Sequence, residues 1–328
     1  MKITKEIKVA VLVILSIVLF YWGFAFLKGK NLFDSSTKLY AVYDNVAGLV
    51  EAAPVTINGL IIGKVNTIEM LPDGFFKYHV DFSQLRITDE TGALCVSRPT
   101  NPTGNVISDD ELAKLDALAH EHKVPFIVDG AYGTPFPNIL FVDAQPHWNR
   151  NTILVLSLSK LGLPGARTGI VIADPAIIQA FAKANTILSL ATGNYGPAVA
   201  RHLLQDGNIL RLSRDLVAPF YRERMEMAVA TFKSSLGDLP CFIHKPEGAI
   251  FLWLWFKDLP ITSEALYQRL KARGVLVVSG HHFFPGLTDD WQHRHECIRV
   301  TYCQDPETVA RGAAIIADEV REVYRTAV

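Results

Sequence analysis

The chain has 328 residues, a formal net charge of −1 and 49% hydrophobic residues. That length suits one large domain or two ordinary ones, and the balanced charge gives no electrostatic case for nucleic acid as a partner. The four cysteines, Cys95, Cys241, Cys297 and Cys303, stand far apart with no CxxC pair, which excludes a disulfide framework and points to a reducing compartment for most of the chain.

The first predicted element is apolar. VAVLVILSIVLFYWGFAFL, residues 9–27, carries no charge, and a helix of that length crosses a bilayer of about 30 Å. Lys2, Lys5 and Lys8 precede it and Lys28 and Lys30 follow, while Tyr21 and Trp22 are aromatics of the kind favoured at a membrane interface. No small-x-small cleavage site follows, so residues 1–30 read as an uncleaved anchor rather than a signal peptide.

A short β-rich piece comes next, over residues 31–75. Tyr40, Val42 and Tyr43 predict one strand; Val55-Thr56-Ile57 before Asn58-Gly59 predicts a strand and tight turn; Gly63-Lys64-Val65 starts another strand. YAVYDNVAGL and PVTINGLIIGKV, following a single anchor, resemble the mammalian cell entry (MCE) domain of bacterial lipid-transport proteins. That resemblance covers residues 1–74 and implies a periplasmic, ring-forming lipid carrier. It ends at the LPDG turn, before enough strands to close such a domain.

From Phe76 the rhythm changes to alternating strand and helix. Ala93–Pro99 predicts a strand. Ile107–His122 predicts a helix, with Ser108 as N-cap and Glu111 completing a capping box. Val124–Gly130, Thr152–Ser159 and Gly169–Ala173 predict three more strands, and their continuous apolar runs suit a mainly parallel α/β sheet buried on both faces. Glu264–Gly274 predicts a helix, and Pro306–Tyr324 a last one. The expectation is therefore a large α/β domain over 76–215 and a smaller α+β domain over 216–328.

The chemistry sits at successive strand ends, where parallel-sheet enzymes place function. The first strand leads into RPTNPTG with Asn101, the second ends at Asp129 with Tyr132 beyond it, and the third ends at Ser157, Ser159 and Lys160, with Arg167 in the loop before the fourth. Lys160 in SLSKLGLPGARTG admits three readings: a phosphate cradle, a lysine bonded covalently to a carbonyl cofactor, or a surface turn. Each residue alone has an ordinary structural explanation, as a turn, a cap or a solvated charge. Their recurrence at one rim favours a site, and the absence of GxxxxGK[ST] argues against a nucleotide P-loop.

SRPTNPTGN, VDGAYG and SLSKLGLPGARTG resemble the fold-type I, pyridoxal-phosphate-dependent aminotransferases of class I/II. With KPEGAIFLWLWFKDLPI, LYQRLKARGVLVVSGHHFFPG and CIRVTY, the likeness is to the branch that acts on valine and pyruvate, from about Tyr78 to the C-terminus. Arg167 stands seven residues after Lys160, where the wider family usually has eight. The resemblance implies that Lys160 bonds the cofactor aldehyde and moves the substrate proton. It further implies that Asp129 pairs with the pyridinium nitrogen and that Tyr132 and Asn101 contact the ring oxygen. Ser157, Ser159 and Arg167 would hold the phosphate, and Arg299 the substrate carboxylate. The implied substrates are a valine- or alanine-type amino acid and a 2-oxo acid, and the implied assembly is a homodimer.

His281, His282, His293, His295 and Cys297 invite a metal reading. His293, His295 and Cys297 alternate as on one face of a strand, but no carboxylate–histidine signature accompanies the cluster, and no metal is expected. The N-terminal portion that an aminotransferase carries before Tyr78 has no recognisable counterpart in residues 1–75. An anchored, periplasmic start also conflicts with a cytoplasmic enzyme. The sequence therefore reads as a chimera whose transaminase part is shortened and impaired. A lipid-transport component and an inactive hybrid are the alternatives.

Overall fold

The structure is a computed structural model that describes residues 15, 16, 20, 38–43, 54–57, 60–70, 76–81, 87–190, 193–284 and 291–326. The proposed membrane span over 9–27 therefore lies outside the described residues, apart from Leu15, Ser16 and Phe20, which are helical. Among the described residues no helix is long and apolar enough to cross a membrane.

Strands β1 (Lys38–Tyr43), β2 (Pro54–Ile57), β3 (Leu60–Met70) and β4 (Phe76–Asp81) form an antiparallel sheet in the order β1-β4-β3-β2. Ile57 pairs with Leu60, while the expected turn at Asn58-Gly59 lies outside the described residues. The four strands pair only among themselves and do not extend the larger sheet. The domain boundary read at residue 75 falls inside this sheet. Phe76 pairs with both Tyr43 and Met70, which places β4 between β1 and β3.

The second sheet has the order β5-β6-β7-β8. It comprises β5 (Leu94–Ser97), β6 (Phe126–Asp129), β7 (Thr152–Ser157) and β8 (Gly169–Ile172). The first three are parallel, with Leu94 opposite Phe126 and Phe126 opposite Thr152. Helix α1 (Asp109–Glu121) makes the β5–β6 crossover, and its predicted capping box is present: Ser108 Oγ accepts from Glu111 N at 3.3 Å while Ser108 N donates to Glu111 Oε2 at 2.8 Å. Strand β8 departs from the expected parallel order: it runs antiparallel to β7, with Ser157 opposite Gly169. The link between them holds only two short 3-10 turns, Ser159–Leu161 and Pro164–Ala166, and a parallel return needs a longer crossover than that. Burial also alternates along β6 and β7. One face is sealed under Leu112, Leu115 and Ala119 of α1, and the other is only half covered, contrary to a sheet buried on both sides.

Helices α2 (Pro175–Ser189), α3 (Tyr195–Gln205), α4 (Asn208–Leu212) and α5 (Ala218–Leu236) lead into a C-terminal lobe. Its antiparallel sheet has the order β11-β12-β10-β9, from β9 (Cys241–Ile243), β10 (Phe251–Phe256), β11 (Val278–Ser279) and β12 (Cys297–Thr301). Helices α6 (Ser263–Ala272) and α7 (Pro306–Thr326) complete the lobe. On α7, Ala313, Ile316, Ala317, Val320 and Val323 recur at helical spacing and pack with Leu266, Leu270, Leu252, Leu254 and Val300.

A separate cluster of Tyr132, Ile139, Ala249, Ile250 and Phe251 joins the two lobes. Backbone bonds reinforce it: Glu247 N to Gly104 O at 3.1 Å, Phe141 N to Glu247 O at 2.8 Å and Ala249 N to Ile139 O at 3.0 Å. The approach requires glycine at 248, where a Cβ would meet Ile139 O at 2.8 Å and the Pro99 ring at 2.9 Å.

Candidate active site

The loop after β5 is set by a buried arginine. Arg98 donates from Nε to Ile107 O at 2.6 Å, from Nη1 to Gln145 O at 2.9 Å and from Nη2 to Asp109 Oδ1 at 2.5 Å. With its charge fully engaged, this residue is structural, and it aims the following Pro-Thr-Asn segment so that Asn101 reaches the C-terminal lobe. There Arg299, on β12, donates from Nη1 to Asn101 Oδ1 at 2.6 Å. The guanidinium lies 4.0 Å from the Phe251 ring centroid and 5.1 Å from that of Phe283. Partial burial pulls it below the usual arginine range, a shift opposed by Tyr132, and arginine remains cationic at any physiological pH.

Asp129 ends β6, and its Oδ1 accepts from Ala131 N at 3.0 Å, an Asx turn that fixes the carboxylate. Tyr132 follows and is buried. Its ring packs edge-on against Phe251 at 5.9 Å. Burial pushes the phenol up to about 12; Arg299 pulls it down, and Cys303, Asp129 and Tyr221 push it further up. Lys160, in the 3-10 turn after β7, places Nζ 5.3 Å from the Tyr132 ring centroid. Tyr132 is therefore the hub: an amine, a guanidinium and a carboxylate all act on one ring.

Ser157 and Ser159 are held in sequence at the end of β7, where Ser159 N donates to Ser157 Oγ at 3.1 Å. Arg167 stands apart. It is exposed, has a φ of +46°, and donates from Nη1 to its neighbour Pro164 O at 3.3 Å. No contact among the described residues joins it to Lys160, Tyr132 or Asp129. Of the eight residues expected at the site, Lys160, Tyr132, Asp129, Asn101 and Arg299 converge, the two serines lie beside Lys160 in the chain, and Arg167 is turned away.

Four further residues belong to this cluster. Phe251 and Phe283 flank Arg299. Cys303 and Tyr221 hydrogen-bond one another beside Tyr132, and the thiol is raised chiefly by burial, with Lys160 acting in the opposite sense. Arg299, Thr301 and Cys303 alternate along CIRVTYC, so a period-2 reading of that segment would have put the thiol on the arginine's face. Nothing in the sequence of α5 singles out Tyr221.

A family model described as "Aminotransferase class I and II" matches residues 40–316. The chain belongs to that family. The match begins inside the segment that resembles an MCE domain, and a model of a domain of unknown function (DUF8434) matches residues 2–34. The aminotransferase is 55% identical over 265 residues to a valine–pyruvate aminotransferase of Escherichia coli (strain K12), covering 81% of this chain and 64% of that protein. It is 26% identical to an (S)-3,5-dihydroxyphenylglycine transaminase of Amycolatopsis orientalis, over 73% of this chain and 57% of the other. The chain thus spans less than two thirds of the length of these two relatives. The crystal structure of valine-pyruvate aminotransferase AvtA from Salmonella typhimurium LT2 superimposes with a TM-score of 0.74 at 56% identity, covering 79% of this chain and 67% of that one.

The family depends on pyridoxal 5′-phosphate, and the donor set here fits that group. An amine, a fixed carboxylate, a buried phenol held protonated and an amide gather around one point, with two hydroxyls next to the amine in sequence. Asp129 would hold the ring nitrogen, Tyr132 and Asn101 the ring oxygen, and Ser157 and Ser159 the phosphate.

Proposed function

We propose that the chain transfers an amino group between an amino acid of the valine or alanine type and a 2-oxo acid of the pyruvate or 2-oxoisovalerate type. The observation that carries this reading is the meeting at Tyr132 of Lys160 from one lobe and Arg299 from the other. Arg299 offers a planar fork suited to a substrate carboxylate, and Phe251 and Phe283 beside it offer an apolar wall for an aliphatic side chain. Lys160 lies where it can take the proton from the substrate Cα and return it after transfer. Tyr132 stays protonated at working pH and donates a hydrogen bond. Asp129 keeps the ring nitrogen protonated, and pyridoxal phosphate, when bound, supplies the electron sink for the charge left at Cα.

The reading includes a large lobe that begins after β4 and ends at residue 215, a small lobe over 216–328 with the site at their seam, and a homodimer as the family pattern implies. It places Arg167 on the phosphate once that group is bound, with Arg167 leaving Pro164 O. A membrane anchor over 9–27 is part of the proposal. A lipid-transport role for the segment read over residues 1–75, with β4 extending it to Asp81, is the second reading, favoured by the self-contained sheet β1–β4. Valine–pyruvate transamination by the purified chain, assayed beside Lys160→Ala, tests the first reading: turnover must vanish in the variant. Equal turnover in both overturns it. Lipid that co-purifies with residues 1–81 supports the second.

A further inference from the structure

The carboxylate that the histidine cluster lacks in the sequence is supplied by the fold. Glu264 lies in the first turn of α6, and His281 and His282 lie on the 3-10 turn Gly280–Phe283. One ligand atom from each falls within 4.8 Å of the others. We propose that Glu264, His281 and His282 form a divalent-metal site of the zinc class that ties the start of α6 to the turn bearing Phe283.

Two imidazoles and a carboxylate are a zinc ligand set with a coordination position left for water. Two of the three are already oriented by outer partners. Ser279 Oγ bonds His281 Nδ1 at 2.7 Å and Ser263 Oγ at 2.8 Å, and both serines are buried. With Nδ1 so engaged, Nε2 is the nitrogen left for the metal. Gln268 Nε2 donates to Glu264 Oε1 at 2.7 Å, leaving Oε2. Such outer partners fix ligand tautomer and direction in zinc sites. Tetrahedral zinc bonds of about 2.1 Å set ligand atoms about 3.4 Å apart, a distance that rotation of the exposed His282 and half-buried Glu264 can close.

The remaining residues do not form such a set. His293 and His295 sit on a second 3-10 turn, Gln292–His295, not on the strand that would have aligned them with Cys297. Arg294 Nε donates to His295 Nε2 at 2.8 Å, and Cys297 Sγ lies 3.5 Å from His293 Nε2. The consequence is local: Phe283, next in the chain, packs edge-on against Trp253 at 5.5 Å and beneath Arg299, so a bound ion would stiffen the wall behind that arginine.

The test is a titration of the metal-stripped full chain with Co²⁺, followed by its tetrahedral visible absorption, and with Zn²⁺ by calorimetry. One equivalent should bind. His282→Ala and Glu264→Gln should each weaken binding on the order of tenfold or more, while melting without metal stays unchanged. His202→Ala, at an exposed histidine four residues before Asp206, should bind as the unsubstituted chain does. No saturable binding, binding indifferent to both cluster substitutions, or binding lost in His202→Ala would each overturn the site.

Discussion

Arg299 and Asn101 are 198 positions apart in the chain, and the guanidinium donates to the amide oxygen at 2.6 Å. The side chain read as the carboxylate clamp thus rests on one read as a cofactor ligand. A substrate carboxylate would take over that guanidinium edge, and the amide would be released at the same moment.

Arg299→Lys should therefore raise the KM for the amino acid by about 10–100-fold, the worth of a charge-assisted hydrogen bond, with a smaller change in kcat. An ammonium cannot span both carboxylate oxygens or lie flat against Phe251. Steady-state kinetics on valine decide it; an unchanged KM would remove Arg299 from substrate binding.

Tyr132 ties stability to alkaline pH. Its folded value of about 12 lies above the ordinary phenol value of about 10. The native state then keeps a proton that the unfolded chain loses. Its contribution is full below about pH 10 and declines as pH rises toward 12, amounting to about 2–3 kcal/mol in all. Tyr302 is raised in the same direction, also by burial. Tyr132→Phe should unfold with a shallower alkaline dependence between those limits, measured by denaturant titration at stepped pH. An identical slope would contradict the assignment.

Ser108→Ala removes one half of the α1 capping box. It should cost about 1 kcal/mol of stability and leave the kinetic constants alone, because the Ser108 hydroxyl bonds Glu111 within the capping box while the Asp109 carboxylate that holds Arg98 is untouched. A large loss of kcat with little loss of stability would mean that the helix does more than seal one face of the sheet.

Gly133→Ala would set a Cβ against the backbone carbonyl of Arg98. Neither partner is a flexible tip, so the turn after Tyr132 must move. The expected cost is about 1–3 kcal/mol, together with weaker cofactor retention on dialysis, since Tyr132 would leave the position beneath Lys160. Normal retention with normal stability would show that the loop adapts freely.

The parts legible in the sequence were those with local causes. Ser108 and Glu111 announce a helix start by their own chemistry, and the apolar runs at 126–129 and 152–157 announce strands whose ends carry Asp129 and Ser157. The direction of β8 was not legible from its composition, because it is decided by what joins it to β7. The boundary at residue 75 is not legible to the residue, because Phe76–Asp81 looks the same whether it opens one sheet or closes another. The site divides along the same line. Lys160, Asp129 and Tyr132 announce themselves as motifs, whereas Phe251, Tyr221, Phe283 and Glu264 become relevant only through contacts between segments far apart in the chain. Arg167 was recognisable by its spacing from Lys160, but spacing does not decide which way a guanidinium points.

The backbone clamp between Gly104, Ile139 and the 247–249 segment also sets an order in time. A ribosome delivers residues in sequence, and domains fold as they emerge. Lys160, Asp129 and the serines are complete long before Phe251 or Arg299 exists. Until the C-terminal lobe arrives, Tyr132 has no roof and its phenol meets water. The enclosure of Tyr132 is thus conferred by the last third of the chain, and a nascent polypeptide halted before β10 would carry every motif of the first lobe without the Phe251 wall and the Arg299 fork that complete the site.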